Sequence, residues 1–269
     1  VTVSIPAPAS ATRPMFLPIG DEPNPRSFPF ASAALIAINV AVYLFLSLPM
    51  SMEPARPGDP RIPEYVSTIA RSLPPGVSPA SVIGSVSNYD LFTFQWGFRA
   101  DAMRVSDLFA SMFLHGSSLH LFGNMLFLWI YGNNVEHRLG GFWYVLAYLA
   151  CGAAAALFQA VFNLHSGIPM IGASGAISGV LGFYLWWFPH NRIKVFLFLF
   201  PFYAGAVLIP AAFVLIMYLV VDNLLPFFFA SGAGGGVAYG AHIGGFLAGF
   251  LMAMLMGRRP KREVETPFG

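Results

Sequence analysis

Charge is what this sequence has least of. Asp, Glu, Lys and Arg make up 10% of its 269 residues, and 57% are hydrophobic; soluble domains carry about 25% charged residues. That balance excludes an ordinary soluble domain and points to the membrane. The net charge of +2 says little about partners, and no nucleic acid is expected among them. With one cysteine, Cys151, an internal disulfide is excluded, and its Ala- and Gly-rich surroundings assign it to packing. Residues 1–29, rich in Pro, Ser and Ala, lack a basic stretch followed by an apolar one, so no cleaved signal peptide is expected there. No His-Glu-x-x-His occurs, which leaves an intramembrane zinc protease unsupported, and there is no phosphate-binding loop. Gly172-x-Ser174-Gly175-Ala176 lacks the last glycine of a nucleophile elbow, and no strand is expected before it.

Long apolar runs are what the sequence does have. Phe30 to Leu48 is nineteen residues without a charge, enough to span a bilayer. Further spans are expected at about Leu119–Val135, Phe142–Phe162, Gly172–Phe188, Gly205–Leu225 and Val237–Met256. A surface or re-entrant piece is expected at 195–202, with Pro210 inside the fifth span, where neighbouring helices can satisfy the freed carbonyl. The organisation is therefore a flexible or membrane-surface segment over 1–29, an all-α six-helix membrane domain over 30–257 and a basic tail over 258–269. The long first loop, about 49–117, carries stretches apolar enough to lie on the interface, Leu91–Trp96 and Leu108–Leu114.

Six spans put both ends on one side. Arg138, Arg192, Lys194 and the Arg258–Arg262 cluster share that side, whereas the short loops 163–170 and 231–236 opposite have no Lys or Arg. The positive-inside rule makes the basic side cytoplasmic, and the five arginines of the long first loop count little in it. Ser174, His242, His120 and Asn124 then lie near the outer ends of three otherwise apolar spans.

Polar side chains within spans are expensive and mark function. A serine needs an adjacent base to act as nucleophile, and histidine is the usual one. Gly175 and Gly179 make one face of the serine span small; Gly245 and Gly249 follow His242 at i+3 and i+7. Two such faces allow close backbone approach and would bring Ser174 and His242 within hydrogen-bond reach. No acid lies at the matching depth, Asp222 being the nearest, so a dyad fits better than a triad. His120 and Asn124, at i and i+4, would join the Ser174 backbone N–H in holding an oxyanion. Taken singly, each of these residues reads as helix packing or interhelical glue; their coincidence at one depth favours chemistry. His115 is expected either to support the site residues from behind or to fix the loop, His137, His165 and His190 to be solvated, and Glu136 and Arg138 to stabilise the turn after span two.

At these residues the chain resembles the rhomboid family of intramembrane serine proteases. The matching stretches are His115-Gly-Ser-Ser-Leu-His120-Leu-Phe-Gly-Asn124, Glu136-His-Arg138-Leu-Gly, Gly172-Ala-Ser174-Gly175-Ala-Ile-Ser-Gly179 and Ala241-His242-Ile-Gly-Gly245-Phe-Leu-Ala-Gly249, in family order. The resemblance implies a six-helix core, a Ser174–His242 dyad, an oxyanion site at His120 and Asn124, and cleavage of transmembrane proteins near the outer face without cofactor or metal. Some members carry an aromatic residue four positions after the serine, stacked on the histidine; here it is Ser178, so His242 must be held otherwise. The expected partners are transmembrane protein substrates and the lipid bilayer, and the expected place is a bacterial cytoplasmic membrane. The alternative is a non-catalytic relative that binds transmembrane helices, against which both Ser174 and His242 are present. A small transporter is disfavoured, because no inverted repeat is evident.

Overall fold

The computed structural model describes residues 15–70, 78, 82–199, 203–229 and 237–257. Among them the chain is mostly helical. In order, the main elements are β1 (Met15–Glu22), α1 (Phe30–Met52), α2 (Ile62–Ala70), α3 (Asn88–Trp96), α4 (Val105–Ala110), α5 (Ser118–Leu139), α6 (Gly141–Phe162), α7 (Ser174–Trp187), β2 (Arg192–Leu199), β3 (Tyr203–Pro210), α8 (Ala211–Phe229) and α9 (Tyr239–Met256). Among the described residues four helices, α1, α6, α8 and α9, are long and apolar enough to cross a membrane.

The centre of the bundle is α7. Every residue from Gly175 to Tyr184 is buried, so this helix faces protein on all sides and needs no lipid-facing stripe. Its fourteen residues span about 21 Å, short of a ~30 Å hydrocarbon core. It packs most closely on α9. A Cβ on Gly245 would collide with the Gly175 carbonyl, and one on Gly249 with the Gly179 carbonyl. Glycine at both places lets the two backbones touch. Cys151 of α6 is buried against Gly179.

Two expectations are corrected by the sheet. Of the stretch expected at 195–202 as a surface or re-entrant piece, residues 195–199 instead lie in β2, and the start of the span expected at Gly205 lies in β3. The two strands pair antiparallel, in register from Arg192↔Pro210 to Leu199↔Tyr203, and residues 200–202 lie outside the described residues. The reason is a period of two that the apolar run concealed: Ile193 and Val195 are buried while Arg192 and Lys194 are exposed. Helix α8 therefore starts only after Pro210, which precedes its first turn and costs it no hydrogen bond. The segment expected to be flexible or surface-lying contains β1, which pairs with β2 from Met15↔Phe198 to Glu22↔Arg192 in sheet order β1-β2-β3. The basic tail 258–269 and the glycine loop 231–236 lie outside the described residues.

The sheet end of the bundle is tied by polar side chains. The Glu136 carboxylate accepts the backbone N–H groups of Ala31 and Ser32 at 2.8 and 2.7 Å. It caps the start of α1 across the bundle, a charge-assisted contact to a helix N-terminus, rather than bracing its own turn. The Arg138 guanidinium lies 4.4 Å from the centre of the Trp187 ring, whose Nε1 donates to the Gly257 carbonyl at 3.1 Å. The ends of α5, α7 and α9 meet in that contact. At the other end, the first loop builds a small core of its own. Tyr65, Val66 and Ile69 of α2 pack against Leu91 and Phe94 of α3, whereas Met112 joins the main core and Val105 and Phe109 stay exposed.

Candidate active site

Ser174 opens α7, and the first loop fixes the approach to it. Met170 exchanges both backbone hydrogen bonds with Phe98, at 2.8 and 3.0 Å, and the Gly172 N–H donates to the Ser111 carbonyl at 2.9 Å. Gly172 has φ +124°, a conformation that favours glycine. A Cβ there would stand 2.9 Å from His120 Nε2 and 3.8 Å from Ser174 Oγ. The space over Gly172 is thus flanked by the His120 imidazole and the serine hydroxyl, and a side chain at 172 would fill it.

His242 lies one turn into α9. Its Nε2 is 2.8 Å from Ser174 Oγ, and its Nδ1 is 2.7 Å from Oδ1 of Asn223. The amide orientation of Asn223 follows from its other end, where Nδ2 donates to the Tyr218 carbonyl at 2.8 Å. A carbonyl only accepts, so the atom facing His242 must be the oxygen. Nδ1 then carries the imidazole proton, and Nε2 accepts from the serine hydroxyl. The close contact of α7 and α9 through Gly175 and Gly245 is what holds these helices near enough for a 2.8 Å bond.

His120 and Asn124 follow from the start of α5. Ser117 caps that helix, its Oγ accepting the His120 N–H at 3.1 Å. The His120 ring stands edge-on to His115, with centroids 5.1 Å apart. His115 is fully buried, and the Tyr89 hydroxyl donates to its carbonyl at 2.9 Å. Burial, with His120 beside it, pushes the His115 imidazole down to about 3, so it stays neutral. Asn124 is buried, and its Nδ2 has no hydrogen-bond partner. A buried unpaired donor costs about 1–3 kcal/mol; an acceptor brought by a ligand would satisfy it.

The other histidines stand apart from this cluster. His137, His165 and His190 are exposed, with His137 Nδ1 at 2.9 Å from Ser27 Oγ. Asp222, the acid nearest to His242 in the sequence reading, is also exposed, and the residue after it makes the contact instead. Asn223 is 1% exposed and was missed. Its signal was available: an asparagine in an apolar span carries a desolvation cost that needs a reason. Ser178, at the position where the family resemblance suggested a stacking aromatic, has its Oγ 2.7 Å from the Tyr218 hydroxyl. Among the described residues no three His, Cys, Asp or Glu side chains gather as a metal site.

The family model described as "Rhomboid domain" matches residues 102–259. Among curated proteins, the chain is 36% identical over 103 residues to "Rhomboid protein 1, mitochondrial" of Saccharomyces cerevisiae, covering 37% of this chain and 29% of that protein. It is 40% identical over 90 residues to "Rhomboid protease GluP" of Bacillus subtilis, covering 34% and 17%. To the human "Presenilin-associated rhomboid-like protein, mitochondrial" it is 32% identical over 109 residues, covering 39% and 29%. The chain thus spans less than a third of the length of these relatives.

Proposed function

The chain belongs to the rhomboid family, and on that premise we propose that it is an intramembrane serine endopeptidase acting on transmembrane proteins. The observation that carries this reading is the continuous chain Ser174 Oγ, His242 Nε2, His242 Nδ1 and Asn223 Oδ1, with links of 2.8 and 2.7 Å. His242 takes the hydroxyl proton as Oγ attacks the scissile carbonyl. The carbonyl oxygen becomes an oxyanion over Gly172, where Asn124 Nδ2, the His120 imidazole and the Ser174 N–H are its donors. The C–N bond breaks as His242 returns the proton to the leaving amine. Water, deprotonated by the same histidine, then cleaves the acyl ester and restores Oγ–H. No cofactor or metal enters these steps.

In this reading α5 and α7 join α1, α6, α8 and α9 as six spans of a multi-pass protein. The two differ from the other four for reasons tied to the site: α5 carries polar residues along its length, and α7 has only fourteen residues, with other helices packed around it. Both termini lie on the cytoplasmic side of a bacterial inner membrane, as the basic residues suggest. Orientation is tested with Cys151 replaced by alanine and single cysteines at His165 or His190, both exposed. An impermeant thiol reagent on intact cells labels the first and spares the second; the reverse inverts the topology.

Activity is tested by a fluorophosphonate probe, which reacts only with an activated serine, on the full chain in lipid nanodiscs. The wild type is labelled and cleaves a model transmembrane substrate. Ser174→Ala loses both with an unchanged melting temperature, since a methyl fits where the hydroxyl did. A folded wild type that binds helices without labelling would instead make the chain a non-catalytic binder.

A further inference from the structure

The proposed chemistry needs His242 in one tautomer and one rotamer, and where some family members stack an aromatic residue on the histidine this chain has Ser178. Something else must hold the ring. The geometry points to Asn223 as a positioning residue that selects the tautomer and orientation of His242, delivered from α8 rather than from either helix of the dyad. This inference rests on the proteolytic reading for its consequence, but not for its geometry.

Three observations carry it. Asn223 is almost wholly buried and spends both ends of its amide: Oδ1 on His242 Nδ1 at 2.7 Å, Nδ2 on the Tyr218 carbonyl at 2.8 Å. The amide is therefore locked in the orientation that presents an acceptor to the imidazole. Second, Val220–Leu224 is a π-helical turn within α8, and Asn223 lies in it. Such single turns are rare in helices and recur at functional sites, since the added residue redirects side chains. Third, Tyr218 connects the same turn back to the serine helix, its hydroxyl 2.7 Å from Ser178 Oγ. The small residue at 178 thus serves as an anchor for α8 rather than as a platform for the ring. An amide does not take up a proton at neutral pH. When Nε2 accepts the serine proton, the Nδ1 proton stays on the ring, and Asn223 Oδ1 continues to accept it. Asn223 orients the base and stays outside the proton transfer.

The test compares Asn223→Ala, Asn223→Asp and Asn223→Leu in the full chain. With Asn223→Ala, kcat for a model transmembrane substrate should fall about 10²-fold, the scale expected when a catalytic group is mispositioned. KM and melting temperature should stay near wild type. Asn223→Asp keeps an acceptor for Nδ1–H and should recover most of that loss; Asn223→Leu, matched in size without an acceptor, should not. In parallel, 15N NMR of histidine-labelled protein should show His242 protonated at Nδ1 in the wild type and mixed tautomers in Asn223→Ala. Unchanged kcat and an unchanged tautomer in Asn223→Ala would overturn the inference. So would a loss that follows melting temperature and is equal in the Asp and Leu variants, since that marks helix packing. A wild type that fails to react with fluorophosphonate, yet shows the Nδ1 tautomer depending on Asn223, would sink the proteolytic reading and leave this one standing.

Discussion

The two ends of α7 are both polar, and they treat their polar groups differently. At the sheet end, Asp21 Oδ2 receives the Tyr184 hydroxyl and Asn134 Nδ2, each at 2.5 Å, while Glu136 takes two backbone N–H groups. These contacts join secondary elements distant in sequence: β1 to α7, and α1 to α5. At the serine end, Asn124 Nδ2 has no partner, and the space over Gly172 between His120 and Ser174 is kept clear by a missing Cβ. A carboxylate supplied with donors spanning two elements does structural work. A buried donor left empty costs stability; under the proposed function an oxyanion would supply the acceptor that Asn124 lacks. Unpartnered buried polar atoms occur at both ends, Asp21 Oδ1, Ser32 Oγ and the Tyr131 hydroxyl among them at the sheet end; what sets the serine end apart is that its unpaired Asn124 amide lies one helical turn from His120, which flanks Ser174 across Gly172.

Asn124→Ala breaks that comparison most directly. Removing one oxyanion donor should lower kcat by about 10²–10³, while stability should hold or rise, because an unsatisfied buried donor has been removed. If Asn124 were helix glue, the melting temperature would fall and kcat of the surviving fold would be normal. Measuring both on one preparation decides.

Glu136→Gln probes the opposite end. The amide keeps one acceptor but turns an N–H toward the start of α1, so unfolding free energy should drop by about 1–3 kcal/mol. Turnover per folded molecule should not change. A kcat defect at full stability would show that the sheet end communicates with the serine end, and the division drawn above would fail.

The smallest effect concerns pH. Burial raises the Asp21 carboxyl to about 6, against the hydrogen bond from Tyr184, which lowers it. Between roughly pH 4 and 6 the folded protein holds a proton that the unfolded chain has released, so stability from this group falls as pH rises through that window and levels off above it. Hydrogen exchange at the β1 amides, corrected for intrinsic rates, should show a looser strand at pH 7 than at pH 5. Asp21→Asn should flatten the difference. A strand that tightens with rising pH would mean that Asp21 is held as the anion.

Much of this molecule was legible in its residues because membrane segments obey a simple local rule. Apolar length locates spans, so α6 and α9 were read to within a few residues, and glycine spacing identified which faces of α7 and α9 approach. Polar residues stand out against such a background, which singled out Ser174, His242, His120 and Asn124. Three features were decided only by tertiary structure. The hairpin was hidden because an apolar run reads alike as span or strand until its partner is known, and that partner, β1, lies more than 150 residues away. Helix α7 is shorter than a bilayer because its neighbours, not lipid, cover it. Asn223 faces His242 through a π turn, and a turn of that kind shifts the face on which every later side chain falls. Spacing along a regular helix therefore pointed to no partner for the histidine, and only the packed bundle supplied one.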